Sequence, residues 1–382
     1  MPTFYEFFAG GGMARAGLGN EWTCLFANDF DHKKAETYRD NWGQAEFKLE
    51  NIGAVTPDDL PRHADLAWAS FPCQDLSLAG GGAGLKGERS GTFRPFWKLM
   101  RQLASEGRAP LTIVLENVCG ALTSHNGKDF ATLCRSLTEA NYKVGAVVID
   151  AAKFVPQSRP RLFIIGVRED TTIPRELHSD SASSHWHTPT LVRSYESLPA
   201  QIKENWIWWR LPLPCLRKRG LIDILDRFHE TPEWFSAGET KRLLEMMSPL
   251  NRAKVDKALR YGKRIVGCVY KRTRTEGDGA KCQRAEIRFD DTSGCLRTPA
   301  GGSSRQIVVV VEDNQVRARL ISARETARLM GLPENYILPK NYNEAYHLTG
   351  DGVVVPVVRH VAEYILEPIL ALASRSKQEA AA

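Results

Sequence analysis

Over the first 168 residues, apolar positions come in short runs bounded by glycine, proline and polar clusters. Phe4–Phe8 is one such run, and it stops at Gly10-Gly11-Gly12, after which Met13–Leu18 has helical spacing. Thr23–Ala27, Asp65–Phe71, Leu111–Leu115, Val144–Ile149 and Leu162–Val167 read as further strands, with His32–Trp42, Phe96–Leu103 and Phe130–Ala140 as helices between them. Strands and helices in alternation predict an α/β fold: a doubly wound, mostly parallel sheet with helices on both faces. The pattern breaks at Asp170–Pro199 into Ser, His, Thr and Pro, which predicts a linker. Residues 201–310 have no clean alternation and mix Trp206, Trp208, Trp209 and Trp234 with basic side chains. Arg324–Met330 predicts a short helix, Val353–Leu372 an apolar strand leading into a helix, and the polar Ser374–Ala382 a frayed end. No internal repeat is present.

Composition narrows the class. At 382 residues, 43% hydrophobic, the chain has material for roughly two domains with packed cores. It lacks a run of about 18 apolar residues, so no membrane span is expected. Its start has neither a basic stretch nor an apolar signal core, which predicts a protein that stays in the cytoplasm. Eight cysteines without a CxxC or Cys/His cluster predict reduced thiols and no metal. Charge is uneven. Residues 201–290 hold 20 Lys/Arg against 12 Asp/Glu, while the rest of the chain holds 31 against 33. A basic middle block points to polyanion contact, most simply nucleic acid; a solvated basic face accounts for the charge equally well.

Four places carry candidate chemistry. A strand followed by Ala9-Gly10-Gly11-Gly12 and a helix suits a nucleotide-like cofactor, because glycines allow a tight turn and close approach; a purely structural turn fits too. About 20 residues on, Asn28-Asp29-Phe30-Asp31 ends the second strand with an acid placed for ribose hydroxyls. The loop has neither GxGxxG nor GK[ST] spacing, which disfavours NAD and ATP and leaves S-adenosylmethionine. Next, Ser70-Phe71-Pro72-Cys73-Gln74 directly follows a strand, and the turn together with the Ala79–Gly84 run suggests an exposed thiol nucleophile rather than a buried strand cap. Third, Ile113–Leu115 ends on Glu116, either a proton-handling carboxyl or a salt-bridged strand end. Last, Gln157-Ser158-Arg159-Pro160-Arg161 brings two arginines to a strand start, to clamp a polar group or simply to face solvent.

In this order, the segments Phe7-Phe8-Ala9-Gly10-Gly11-Gly12, Pro72-Cys73-Gln74, Glu116-Asn117-Val118 and Gln157-x-Arg159-x-Arg161 resemble the C5-cytosine DNA methyltransferase family. Arg319–Pro333 and Gly350-Asp351-Gly352-Val353 extend the resemblance to nearly the whole chain, apart from the basic block, where that family carries its variable target-recognition region. The resemblance implies the S-adenosylmethionine-dependent Rossmann-like fold. It also implies methyl transfer to C5 of cytosine in a specific double-stranded DNA sequence, with the base flipped out of the helix. Cys73 then corresponds to the nucleophile at C6, Glu116 to the residue at N3 and the exocyclic amine, and Arg161 and Arg159 to arginines near O2. Phe8, Gly10, Gly12, Asp29, Phe30, Asn51, Pro72, Phe93 and Asp351 correspond to positions around S-adenosyl-L-methionine. Glu6 stands where the family usually has Asp, Asn51 where it usually has an acid, and Asp351 where it usually has Asn.

The resemblance further implies a cofactor domain over residues 1–172, completed by 344–382, and a DNA-binding domain over 173–343. The expected state is a monomer acting on double-stranded DNA, either beside a separate cognate restriction endonuclease or as a solitary or phage-borne enzyme. Two other readings are a tRNA-methylating relative and a silent DNA-binding regulator. The first would carry a Cys-Phe-Thr signature, which is absent. The second would lack Cys73 or Glu116, and both are present.

Overall fold

The computed structural model describes residues 1–72, 92–226, 232–275, 279, 281–298 and 305–381. The chain forms two compact units: 1–150 with 160–214 and 355–382, and 151–159 with 215–354.

The first unit begins with β1 (Thr3–Phe7), α1 (Met13–Leu18), β2 (Thr23–Asp29), α2 (His32–Trp42), β3 (Phe47–Leu49) and β4 (Leu66–Ala69). It continues with α3 (Phe93–Ser105), β5 (Thr112–Val118), α4 (Lys128–Glu139), β6 (Tyr142–Asp150) and β7 (Pro160–Arg168), then β8 (His178–Ser179), α5 (Pro189–Glu196), α6 (Ala200–Glu204) and β9 (Trp206–Trp209). The sheet order is β3-β2-β1-β4-β5-β7-β6-β9-β8. β1 to β5 pair in parallel, while β7 runs antiparallel to both of its neighbours, β5 and β6. The sheet is therefore mostly parallel and doubly wound, as expected, with β7 and the edge strand β8 reversed.

Successive strand residues face opposite ways. Tyr5 and Phe7 of β1 join one core with Phe96, Leu99 and Leu103 of α3 and Phe130, Leu133 and Leu137 of α4. Phe4 and Glu6 face the other side, where the backbone N–H of Arg15 in α1 reaches Glu6.

The second unit holds α7 (Ala237–Glu245), α8 (Pro249–Tyr261), β10 (Ile265–Thr275), β11 (Lys281–Arg288), β12 (Ile307–Glu312), β13 (Gln315–Leu320), α9 (Ala323–Leu329) and α10 (Tyr342–Asp351). Its antiparallel sheet, ordered β11-β10-β12-β13, packs Val269, Ile287, Val309 and Val311 against Leu243 of α7 and Val255 of α8. The chain then returns to the first unit as α11 (Val355–Val361) and α12 (Glu367–Ala381). α11 lies on α1 so closely that a Cβ at Gly17 would stand 2.4 Å from Val358 Cβ.

Several expectations shift. Residues 173–214 belong to the first unit, because β9 pairs with β6 through Val144↔Trp206 and Trp186 is buried with its indole N–H on the Leu211 carbonyl. The stretch expected as a linker thus carries core side chains. Residues 151–159 join the second unit, where the Gln157 amide bonds Leu329 and Leu296. Residues 344–354 stay there as well. The strand expected near Val353 is absent among the described residues: Pro356 sits in the first turn of α11, where no backbone N–H is needed. The tail expected to fray continues as α12 to Ala381.

Candidate active site

Strand register aligns the chemistry. Phe7 lies beside Asn28 of β2 and Ala69 of β4, and Ala69 beside Leu115 of β5. The residues that follow, the glycine loop, Asp29, Ser70–Pro72 and Glu116, therefore leave the sheet along one carboxyl edge, where open α/β sheets bind ligands. β7 is reversed, so its start, with Arg161 opposite Val118, lies at that same edge.

The loop turns sharply. Phe8 (φ 58°), Gly10 (φ 55°) and Gly12 (φ 77°) are all left-handed. For Phe8 this is a strained conformation, of a kind that clusters at ligand sites. At Gly12 a Cβ would come 2.3 Å from Trp42 Nε1, which donates to the Gly11 carbonyl at 3.0 Å. At Gly10 a Cβ would meet, among the described residues, only the Lys34 stem at 3.9 Å.

Asp29 holds the loop from the next strand. One carboxylate oxygen accepts the Gly10 N–H at 2.8 Å and the other the Asp31 N–H at 2.9 Å. Asp31 in turn caps α2 by accepting from Lys33 and Lys34. Burial raises the Asp29 carboxyl above its ordinary value; the Lys34 ammonium and the two N–H groups pull the other way. Between these acids Phe30 is 61% exposed, a large ring without cover. Asn51 follows β3 with its side-chain oxygen on the Gly53 N–H at 2.9 Å. Phe93 opens α3 and is buried, 5.5 Å from the Phe71 ring and stacked on Trp97. Pro72 lies next to Phe71, whose carbonyl accepts from the Asn117 amide at 3.1 Å. Cys73 lies outside the described residues.

Glu116 is 7% exposed, and its Oε1 is 3.3 Å from Arg161 Nε. The two are brought together by β5 and β7. Arg159 is placed differently, in the second unit, where its buried guanidinium donates to the carbonyls of Leu296 (2.8 Å), Gly350 (2.7 Å) and Gly352 (2.8 Å). Nη1 also donates to Cys295 Sγ at 3.3 Å. Asp351 ends α10 in that unit and accepts from the Thr298 hydroxyl.

Sequence reasoning passed over Trp42 here, and it noted Glu6 only as a departure from the family pattern. Trp42 buttresses the glycine loop from the far end of α2, and no local signal marks it. Glu6 did have a signal, an acid inside the run Phe4–Phe8. It is buried, accepts the Arg15 N–H at 3.3 Å on one oxygen, and leaves the other without a partner among the described residues. Desolvation pushes its carboxyl up to about 8, against the pull of Arg15. An open groove of about 870 Å³ lies apart from the glycine loop, between α3 and α4, and is lined by Arg94, Lys98, Arg101 and Lys128.

Comparison with known proteins is consistent across the chain. The family model of the C-5 cytosine-specific DNA methylases matches residues 2–367. The Type II methyltransferase M.BsuFI of Bacillus subtilis is 26% identical over 370 residues, covering 96% of this chain and 73% of that one. M.NlaX of Neisseria lactamica is 25% identical, covering 97% and 98%. Among solved structures, the Dnmt2 methyltransferase of S. pombe shares the fold at a TM-score of 0.57 and 17% identity, covering 97% of this chain and 99% of that one. With its signature segments in order and the family match running almost end to end, the chain belongs to the C-5 cytosine-specific DNA methylase family and is a DNA cytosine-5-methyltransferase.

Proposed function

We propose that this protein uses S-adenosyl-L-methionine to methylate C5 of a flipped-out cytosine within a specific double-stranded DNA sequence. In this reading it acts as a cytoplasmic monomer and as the modification partner of a separate restriction endonuclease. The observation that carries the reading is the carboxyl edge, where a glycine loop tied to Asp29 and the Glu116–Arg161 pair leave the same row of strands.

The residues present fit the cofactor. Each Asp29 oxygen has given one lone pair to a backbone N–H, so one remains on each for a ribose hydroxyl. The uncovered ring of Phe30 suits an adenine face. Asn51 Oδ1, with one N–H bound, retains a lone pair for the adenine amine. Phe8, Gly10, Gly12, Pro72 and Phe93 shape the remaining wall. When bound, S-adenosylmethionine would supply an electrophilic methyl group on a sulfonium, whose sulfur would keep the pair of the broken methyl–sulfur bond and leave as a neutral thioether.

The protein's part is to make C5 a nucleophile. The Cys73 thiolate adds to C6, and the ring loses its aromaticity. Glu116 gives its carboxyl proton to N3 as negative charge develops there and accepts the amine N–H, and Arg161 holds both Glu116 and the base O2. C5 forms its bond to the methyl group, the C5 proton leaves to a base, and the Cys73 thiolate is expelled as the ring is restored. Within its own unit, Arg159 fixes Leu296, Gly350 and Gly352 to the Gln157–Arg159 turn. Because the base must leave the helix to be reached, the positive block at 201–290 serves as the phosphate-binding surface.

The test uses duplex DNA with 5-fluorocytosine at the target position, where fluorine cannot leave as a proton does. With cofactor present, the protein should be trapped in a denaturation-resistant adduct, and Cys73→Ala should lose both trapping and methylation while still binding DNA. Methylation by Cys73→Ala at near the parent rate would refute the mechanism.

A further inference from the structure

β10 is 11 residues long, yet β12 covers only Ile265–Val269. From Tyr270 to Thr275 its sole strand partner among the described residues is β11, in unbroken antiparallel register as far as Thr275↔Lys281. A two-stranded ribbon therefore runs on past the four-stranded sheet for six residues, about 20 Å at ~3.4 Å each. Such a ribbon fits the major groove of DNA.

Alternation gives the ribbon two unlike faces. Val269, Ala285 and Ile287 point into the core of their unit, so Lys271, Thr273, Lys281 and Gln283 continue that face beyond it. Tyr270, Arg272, Arg274, Arg284 and Glu286 lie on the other. There the Tyr270 hydroxyl donates to Glu286 Oε2, and Glu286 Oε1 accepts from Arg274 Nε at 2.8 Å. The Arg272 guanidinium lies 5.2 Å above the Tyr270 ring, so it is stacked in place although exposed. It also stands directly opposite Arg284. A fixed guanidinium fork matches O6 and N7 of guanine in a way that a lysine's point charge does not.

We propose that this ribbon reads bases in the major groove, with Arg272 bonding the O6 and N7 edge of a guanine in the recognition sequence, while Lys271 and Lys281 on the opposite face reach the flanking phosphates. This rests on the DNA-methylating function proposed above.

The experiment is methylation of a randomised duplex library, read by bisulfite sequencing, with affinity measured against salt. The unmodified protein should require at least one G·C pair besides the target. Arg272→Lys keeps the charge and loses the fork, so discrimination at one guanine should fall roughly 5- to 150-fold, the worth of one bidentate pair, with the salt slope unchanged. Arg272→Gln should lose the same discrimination, and melting curves should match the parent for both variants. Lys271→Gln with Lys281→Gln should flatten the log–log salt slope by about 0.9 per lost phosphate contact and leave sequence preference intact. Preference unchanged in both Arg272 variants, or a recognition sequence without a second G·C pair, would overturn the assignment. No methylation by the unmodified protein would instead remove the function on which it rests.

Discussion

Replacing Glu6 by glutamine is expected to remove much of the protein's loss of stability toward alkaline pH. Glu6 lies behind the glycine loop, with one oxygen on the Arg15 N–H and the other unpartnered among the described residues, and burial lifts its carboxyl from 4.5 to about 8. A carboxyl with a raised folded-state value keeps a proton that the unfolded chain gives up. Its stabilising contribution is complete below the unfolded value and is lost as the pH climbs through about 8. Over the whole window, at about 1.4 kcal/mol per unit, the loss is at most ~5 kcal/mol. Between roughly pH 5.5 and 7.5 it should be about 2 kcal/mol. Asp29 is also raised and works in the same direction, but it is present in both proteins and cancels in the comparison. Glutamine keeps the shape and cannot ionise. Urea unfolding followed by tryptophan fluorescence should therefore give a shallower pH dependence for Glu6→Gln, and a variant more stable than the parent at the upper pH. Parallel pH profiles for the two proteins would refute the argument.

Further outcomes follow from the sites described. Asp29→Ala should weaken S-adenosylmethionine binding by about 1.5–3 kcal/mol, the range for hydrogen bonds to a charged group, as read by calorimetry; unchanged affinity would take Asp29 out of the site. Arg159→Leu leaves the carbonyls of Leu296, Gly350 and Gly352 without their buried donor and should cost roughly 3 kcal/mol or more in thermal unfolding, whereas a change of only a few tenths would mean the clamp is dispensable. DNA affinity should fall with salt at a log–log slope of about −0.9 per neutralised phosphate, and a flat response in fluorescence anisotropy would leave the 201–290 block a solvated face.

The parallel core was legible because its strands are buried on both faces and so appear as continuous apolar runs, Ile113–Leu115 and Leu162–Val167 among them. Asp29 was legible from its spacing after the glycine loop. β3 was not, since three residues, Phe47–Leu49, are too few to show a period. β9 was hidden in an aromatic cluster whose role depends on pairing with β6, more than 60 residues earlier. The direction of β7 was equally invisible: an apolar run has the same composition whichever way it lies. Arg159 and Arg161 stand two residues apart in one motif, yet one joins Glu116 and the other is consumed by carbonyls near residues 296 and 350. Only the path of the chain separates them.

The packing of α11 and α12 against α1 sets a clock on synthesis. The Trp22 indole N–H bonds the Glu367 carboxylate across 345 positions of sequence, and the Arg359 guanidinium reaches back to the Leu18 carbonyl. At about 5–20 residues per second, roughly 20–70 s pass between the emergence of the first partner and the second. Through that interval Gly17 of α1 lacks the cover that Val355 and Val358 give it. The nascent polypeptide thus carries a finished glycine-loop sequence long before it has a finished support for it, and this is the stage at which a chaperone that shields exposed apolar surface has most to offer.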